Sequence, residues 1–204
     1  MNLARRAARS ISHYGWQTPA IACERGLQAT RHWLSRMRFS LVTLGSVGTG
    51  TTIEDDVLVN GGANVNIGRG VHIGRGSCLL VTPAAGISLT IGDGSWISQG
   101  CVLVVRASMR IGRNVLIGEF TSLRDTTHRS DSVDVPIAKQ GDILGYIDIG
   151  DDVWIGRGCL IQGKPGGTHI GSHSIIGANS VVTRTIPPNS VWAGAPARML
   201  RART

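Results

Sequence analysis

Lysine is nearly missing from this chain of 204 residues, which holds only Lys139 and Lys164, and aromatic residues make up 4%. A nucleic-acid surface draws on clustered cations and stacking rings, so nucleic acid is not expected as a partner. The four cysteines (Cys23, Cys78, Cys101, Cys159) stand far apart with no CxxC pair. Neither a zinc ribbon nor a disulfide framework follows from that spacing. No run of 18 apolar residues occurs, which excludes an obvious membrane span. No apolar segment of secretory length follows the basic start of the chain, so a cytoplasmic location is expected.

Positive charge is present but uneven. Residues 1–45 hold seven Arg against Glu24 alone, and the other 159 residues carry 14 basic and 12 acidic groups. A basic extension is thus joined to a nearly neutral body. Within it Leu27, Trp33, Leu34 and Met37 can form one stripe at helical spacing. Residues 1–45 are therefore read as helical, either capping the body or touching an anionic membrane surface.

Glycine is abundant, at 28 residues, and its placement is periodic. An aliphatic residue recurs every six positions in sets of three: Val47/Ile53/Val59, Ile67/Ile73/Leu79, Ile91/Ile97/Leu103, Ile111/Ile117/Leu123, Ile149/Ile155/Ile161 and Ile170/Ile176/Val182. In the last five sets the first two aliphatics precede Gly in every case but Ser98, and the third never does. One turn is therefore three hexads. Extra residues enter only after a third hexad, the longest stretch being 129–148. Insertions at one phase project from one edge of a three-sided column. Stacked about 4.8 Å apart, six such coils form an all-β solenoid, a parallel β-helix over residues 46–187. After Pro187-Pro188 the ladder is not expected to continue easily, and residues 188–204 read as a tail.

The hexads I-G-D-D-V-W, I-G-R-G-C-L, I-G-S-H-S-I and I-G-A-N-S-V, closing with V-T-R-T-I-P-P-N-S-V-W-A-G-A-P-A-R, resemble the left-handed β-helix acyltransferases. The likeness is to the maltose/galactoside and polysaccharide O-acetyltransferase branch. It covers residues 46–203 and implies a left-handed coil, acetyl-CoA as donor, and a homotrimer with active sites between subunits. It also implies direct transfer to a hydroxyl of a sugar or saccharide-like acceptor, with no covalent enzyme intermediate.

Under that resemblance His128, which opens the long insertion, is the expected general base. An imidazole titrating near neutrality can take the proton of an attacking hydroxyl. Asp125, Asp131 and Glu119 are candidates to orient it. Trp154, Arg157, Ala178, Thr183, Arg184, Arg198 and Arg201 match cofactor-lining positions, with Arg184 standing where the family has Lys. Gln99, Arg106 and Arg124, with Asp125 and Asp131, are candidate acceptor contacts, because the family's sugar-binding N-terminal segment has no counterpart here. An N-acetyltransferase acting on an amino sugar or antibiotic amine uses the same base, and a non-catalytic scaffold would have no use for it. The carbonic anhydrase branch needs three His; His72, His128, His169 and His173 do not reproduce its pattern, so no metal is expected.

Overall fold

A computed structural model describes residues 44–204. The helical reading of residues 1–45 lies almost wholly outside them, as does Cys23. The described chain is β-solenoid with two short 3₁₀ turns, Gly62–Asn64 and Ile137–Lys139. Three parallel sheets form its sides. Sheet A contains Ser46–Val47, Val65–Ile67, Ser88–Ile91, Ser108–Ile111, Tyr146–Ile149 and Thr168–Ile170. Sheet B contains Thr52–Ile53, His72–Ile73, Trp96–Ile97, Leu116–Ile117, Trp154–Ile155, Ile175–Ile176 and Ser190–Gly194. Sheet C contains Leu58–Asn60, Cys78–Val81, Val102–Val105, Ser122–Arg124, Leu160–Gln162 and Val181–Val182.

The hexad residues stack in register. Ile53, Ile73, Ile97, Ile117, Ile155 and Ile176 pair in sequence up sheet B. From Ile73 onward they are at most 1% exposed. Neighbours on a strand alternate faces, so Trp96, Leu116 and Trp154 point outward.

Glycine after the aliphatic residue answers to backbone proximity. A Cβ on Gly118 would lie 2.5 Å from the Arg157 nitrogen of the next coil. The second corner position instead has positive φ and takes Gly, Asn or Asp in most coils. Inward small residues at these corners also do more than fill space. Ser95 Oγ donates to Gly112 O at 2.8 Å and Thr121 Oγ1 to Gly156 O at 3.0 Å. Each buried hydroxyl thus ties one coil to the next.

Six complete coils are followed by most of a seventh, two sides further than the hexads indicate. Ile186 bridges Ile170 in parallel, and Ser190–Gly194 pairs with Ile175–Ile176 in parallel. The two prolines lie at the corner between these contacts, where the missing N–H groups are not demanded. Asn189 N donates to Ser172 O beyond them. Residues expected as a tail therefore end in Ala197–Ala202, antiparallel to Ser190–Gly194 on the edge of sheet B.

Candidate active site

Insertions all leave the edge between sheets C and A. The long one forms an antiparallel hairpin, Thr126–His128 with Asp142–Leu144, in which His128 lies opposite Asp142. His128 Nδ1 is 2.9 Å from Asp142 Oδ1, and the imidazole is 73% exposed against 20% for the carboxylate. Arg106 Nη1 is 2.6 Å from the other oxygen, Asp142 Oδ2. A carboxylate held between a guanidinium and one ring nitrogen fixes the ring and favours the Nδ1–H tautomer. Nε2 is left as the basic nitrogen.

The support for Arg106 comes from a residue expected elsewhere. Asp125 is fully buried. Its carboxylate accepts N–H bonds from Arg106 at 2.8 and 3.0 Å and from Ala107 at 2.8 Å. Burial raises its pKa, opposed by those backbone donors. Asp125 therefore holds the turn that carries Arg106 and does not touch the imidazole in this arrangement. Asp131 instead pairs with Arg129 at 2.9 Å. Glu119 belongs to the corner between sheets B and C, where its carbonyl accepts from Gly158 N. Asp142 is the carboxylate that meets the imidazole, and the hexads gave no sign of it. Its signal was chain direction: a long insertion that returns to the same edge tends to pair its two arms.

Gln99 also sits on the B–C corner, where its carbonyl accepts from Phe120 N. It is therefore apart from the edge bearing His128. Arg124 ends a strand of sheet C beside that edge, and its Nε donates to Ser122 Oγ at 3.1 Å. Arg157 and Ala178 share the B–C corner, one coil apart, with Asn179 N donating to Arg157 O. The same corner carries Phe120, a second residue the sequence reading passed over. It is 59% exposed and takes φ 57° where neighbouring coils have Gly or Asn. An aromatic residue in that region is strained. Its ring packs against Gly100, where a Cβ would collide with it.

Trp154 stands on sheet B, 53% exposed, in register with Leu116 and Ile175. Thr183 and Arg184 follow sheet C on the C–A edge, two coils further up the column than the hairpin. Arg198 and Arg201 lie on the final antiparallel strand, opposite Ala193 and Val191. Their guanidinium groups donate only to neighbouring backbone carbonyls among the described residues. Arg203, by contrast, is held by Asp152 at 3.1 Å. His169 and His173 go to different partners, Asp148 and Asp152.

In a three-sided column the C–A edge is the one opposite sheet B. One chain therefore gathers His128, Asp142, Arg106 and Arg124 on one side, and presents Trp154 on the other.

Residues 146–184 match the hexapeptide repeat of succinyl-transferase. Over 117 residues the chain is 39% identical to the galactoside O-acetyltransferase of Escherichia coli, an overlap of 57% of this chain and 55% of that enzyme. The chain thus spans about half the length of the curated relatives it matches. A hexapeptide-repeat-containing acetyltransferase from Vibrio cholerae, complexed with acetyl coenzyme A, superposes with a TM-score of 0.61 at 25% identity, covering 94% of this chain and 91% of that one. An N-acyltransferase from Bacillus cereus, in complex with dTDP-4-amino-4,6-dideoxyglucose and coenzyme A, gives a TM-score of 0.71 at 19% identity over 83% of this chain and 89% of its own, a likeness of fold alone. The solenoid is a hexapeptide-repeat β-helix. The chain is similar to hexapeptide-repeat acetyltransferases, with O-acetyltransferases among the relatives it matches.

Proposed function

We propose that this chain transfers acetyl from acetyl-CoA to a hydroxyl of a sugar or saccharide-like acceptor, with His128 as general base. The observation that carries the reading is the Arg106–Asp142–His128 chain at 2.6 and 2.9 Å, at the base of the long insertion. With Nδ1–H directed at Asp142, Nε2 takes the acceptor proton as the hydroxyl oxygen attacks the thioester carbonyl carbon. The imidazolium that forms is stabilised by Asp142. As the C–S bond breaks, the same proton passes to the coenzyme A sulfur, leaving an acetyl ester and restoring the neutral ring. The family resemblance supports Trp154, Arg157, Ala178, Thr183, Arg184, Arg198 and Arg201 as donor contacts. Arg198 and Arg201, unpaired with carboxylates among the described residues, suit phosphate groups.

Because the C–A edge is opposite sheet B, the His128 side and the Trp154 side meet only across two chains. A closed ring of three satisfies that requirement, and the outward Trp96, Leu116 and Trp154 give sheet B an apolar strip to bury. Seven Arg against one acidic residue in residues 1–45 suit an anionic membrane surface. Among the described residues no helix is long and apolar enough to cross a membrane. We place the reaction in the cytoplasm, in keeping with cysteines that suggest no disulfide framework. The test is mass spectrometry of saccharide acceptors after incubation with acetyl-CoA. An added acetyl group that hydroxylamine removes is an O-ester. A hydroxylamine-resistant product would mean N-transfer, and a product formed equally by His128→Gln would remove the base.

A further inference from the structure

Sheet A differs from its two neighbours. Its outward positions run Asn66, Thr90, Arg110, Asp148 and His169 up one row, all in register. A parallel row ends in Tyr146, beside Ser108. Tyr146 does not stand up from the sheet. A Cβ on Gly167 would fall onto Cζ and both Cε carbons of its ring, so the phenol lies face down over that glycine. The residue is 37% exposed. Tyr146 Oη is 3.0 Å from His169 Nε2, His169 Nδ1 is 3.4 Å from Asp148 Oδ2, and Arg110 Nε donates to Asp148 Oδ1 at 2.7 Å. The ring is bordered by three polar groups linked to one another.

We propose that Tyr146, with His169, Asp148 and Arg110, is a saccharide subsite. A pyranose offers one apolar C–H face and a rim of hydroxyls. An exposed ring face takes the first, and the charged and imidazole groups take the second. Tyr146 also follows directly from the hairpin that carries His128. Asp142 and Tyr146 are four residues apart, so their Cα atoms are separated by no more than about 14 Å. A saccharide of two or more units seated on Tyr146 can extend toward the base. The acceptor class is thereby narrowed to an oligo- or polysaccharide. That link to His128 rests on the transferase reading, whereas sugar binding itself does not.

Saturation-transfer NMR on maltotriose, cellotriose and chitotriose, without acetyl-CoA, tests the subsite. The wild-type protein is expected to saturate ring protons of at least one trisaccharide. Tyr146→Ala should weaken that binding at least tenfold, and Tyr146→Phe should keep most of it. Thermal melting of each variant identifies any that fails to fold, and Gly167→Ala supplies a second way to displace the ring. No signal from any trisaccharide, or equal binding by Tyr146→Ala, would overturn the proposal. Coenzyme A release that ignores Tyr146 would sink the subsite and spare the transferase. Binding without any acetyl transfer would do the reverse.

Discussion

At the residue scale the proposed chemistry turns on a single hydrogen bond. Nδ1 of His128 can hold its proton because Asp142 faces it, and Asp142 stays in place because Arg106 faces Asp142. His128→Ala is expected to lower turnover roughly 10²-fold or more, as for a lost general base. Asp142→Asn should lower kcat less than that, leave KM for acetyl-CoA near its original value, and change the pH dependence of kcat/KM. Steady-state kinetics across pH distinguishes the two. Equal losses with a raised KM would mean that Asp142 only holds the hairpin together. The buried thiols make a separate residue-scale prediction. Burial pushes the Cys101 thiol up to about 11 and raises that of Cys159. At about pH 8, where a thiol needs its thiolate form to react, iodoacetamide should label Cys78 and spare both in the native protein. Native labelling of Cys101, read by mass spectrometry, would contradict the packing. The place of His128 at the start of an insertion was legible in the sequence, and its proposed role rests on the family resemblance. Asp142 was not, because its pairing depends on hairpin register, and residues 129–148 have no repeat to set one.

At the scale of the element, the hexad carries most of the information. The strands, their alternation and the shared edge for insertions all follow from aliphatic residues six apart, since only a three-hexad turn brings them into one column. Ile91 and Thr90 sit side by side on one strand, the first buried and the second exposed. Ile91→Ala should destabilise by about 2–5 kcal/mol, and Thr90→Ala by no more than about 0.5 kcal/mol. Urea unfolding measures both. The corner between sheets A and B holds Arg69–Asp93 at 2.9 Å and Arg113–Asp151 at 2.8 Å. Backbone and then side-chain N–H groups of Arg69 lower the Asp93 pKa, and those of Arg113 lower the Asp151 pKa, from an ordinary 3.8. Lowered carboxylates stabilise the fold above their unfolded value and lose that contribution as pH falls through the folded one. The melting temperature of Asp93→Asn/Asp151→Asn should therefore fall less than that of the wild type between about pH 5 and about pH 3. These pairs are exposed, so the difference should be small and should shrink in salt. Two features of the elements escaped the repeat. The seventh coil did, because Pro187-Pro188 reads as a stop when it occupies a corner. Phe120 did as well, because a bulky residue replaces Gly or Asn at a positive φ.

For the whole molecule, the arrangement of sides explains more than any one site. Sheet A is polar, sheet B carries an apolar strip, and the hairpin edge is opposite that strip. An isolated column cannot bring His128 and Trp154 together, so sedimentation should find a trimer, with Trp154→Glu shifting it toward monomer. A fully active monomer would refute intersubunit sites. The proposed acceptor face was the least legible part, since it depends on which side chains share a sheet face across three coils, and no local motif records that. The central claim is acceptor-dependent transfer through His128. Its most direct test is coenzyme A release from acetyl-CoA, followed with a thiol reagent across saccharide and amine acceptors, for the wild type beside His128→Ala. The account predicts release that requires a saccharide and that the variant loses by about 10²-fold or more. Saccharide-dependent release that His128→Ala retains would contradict it.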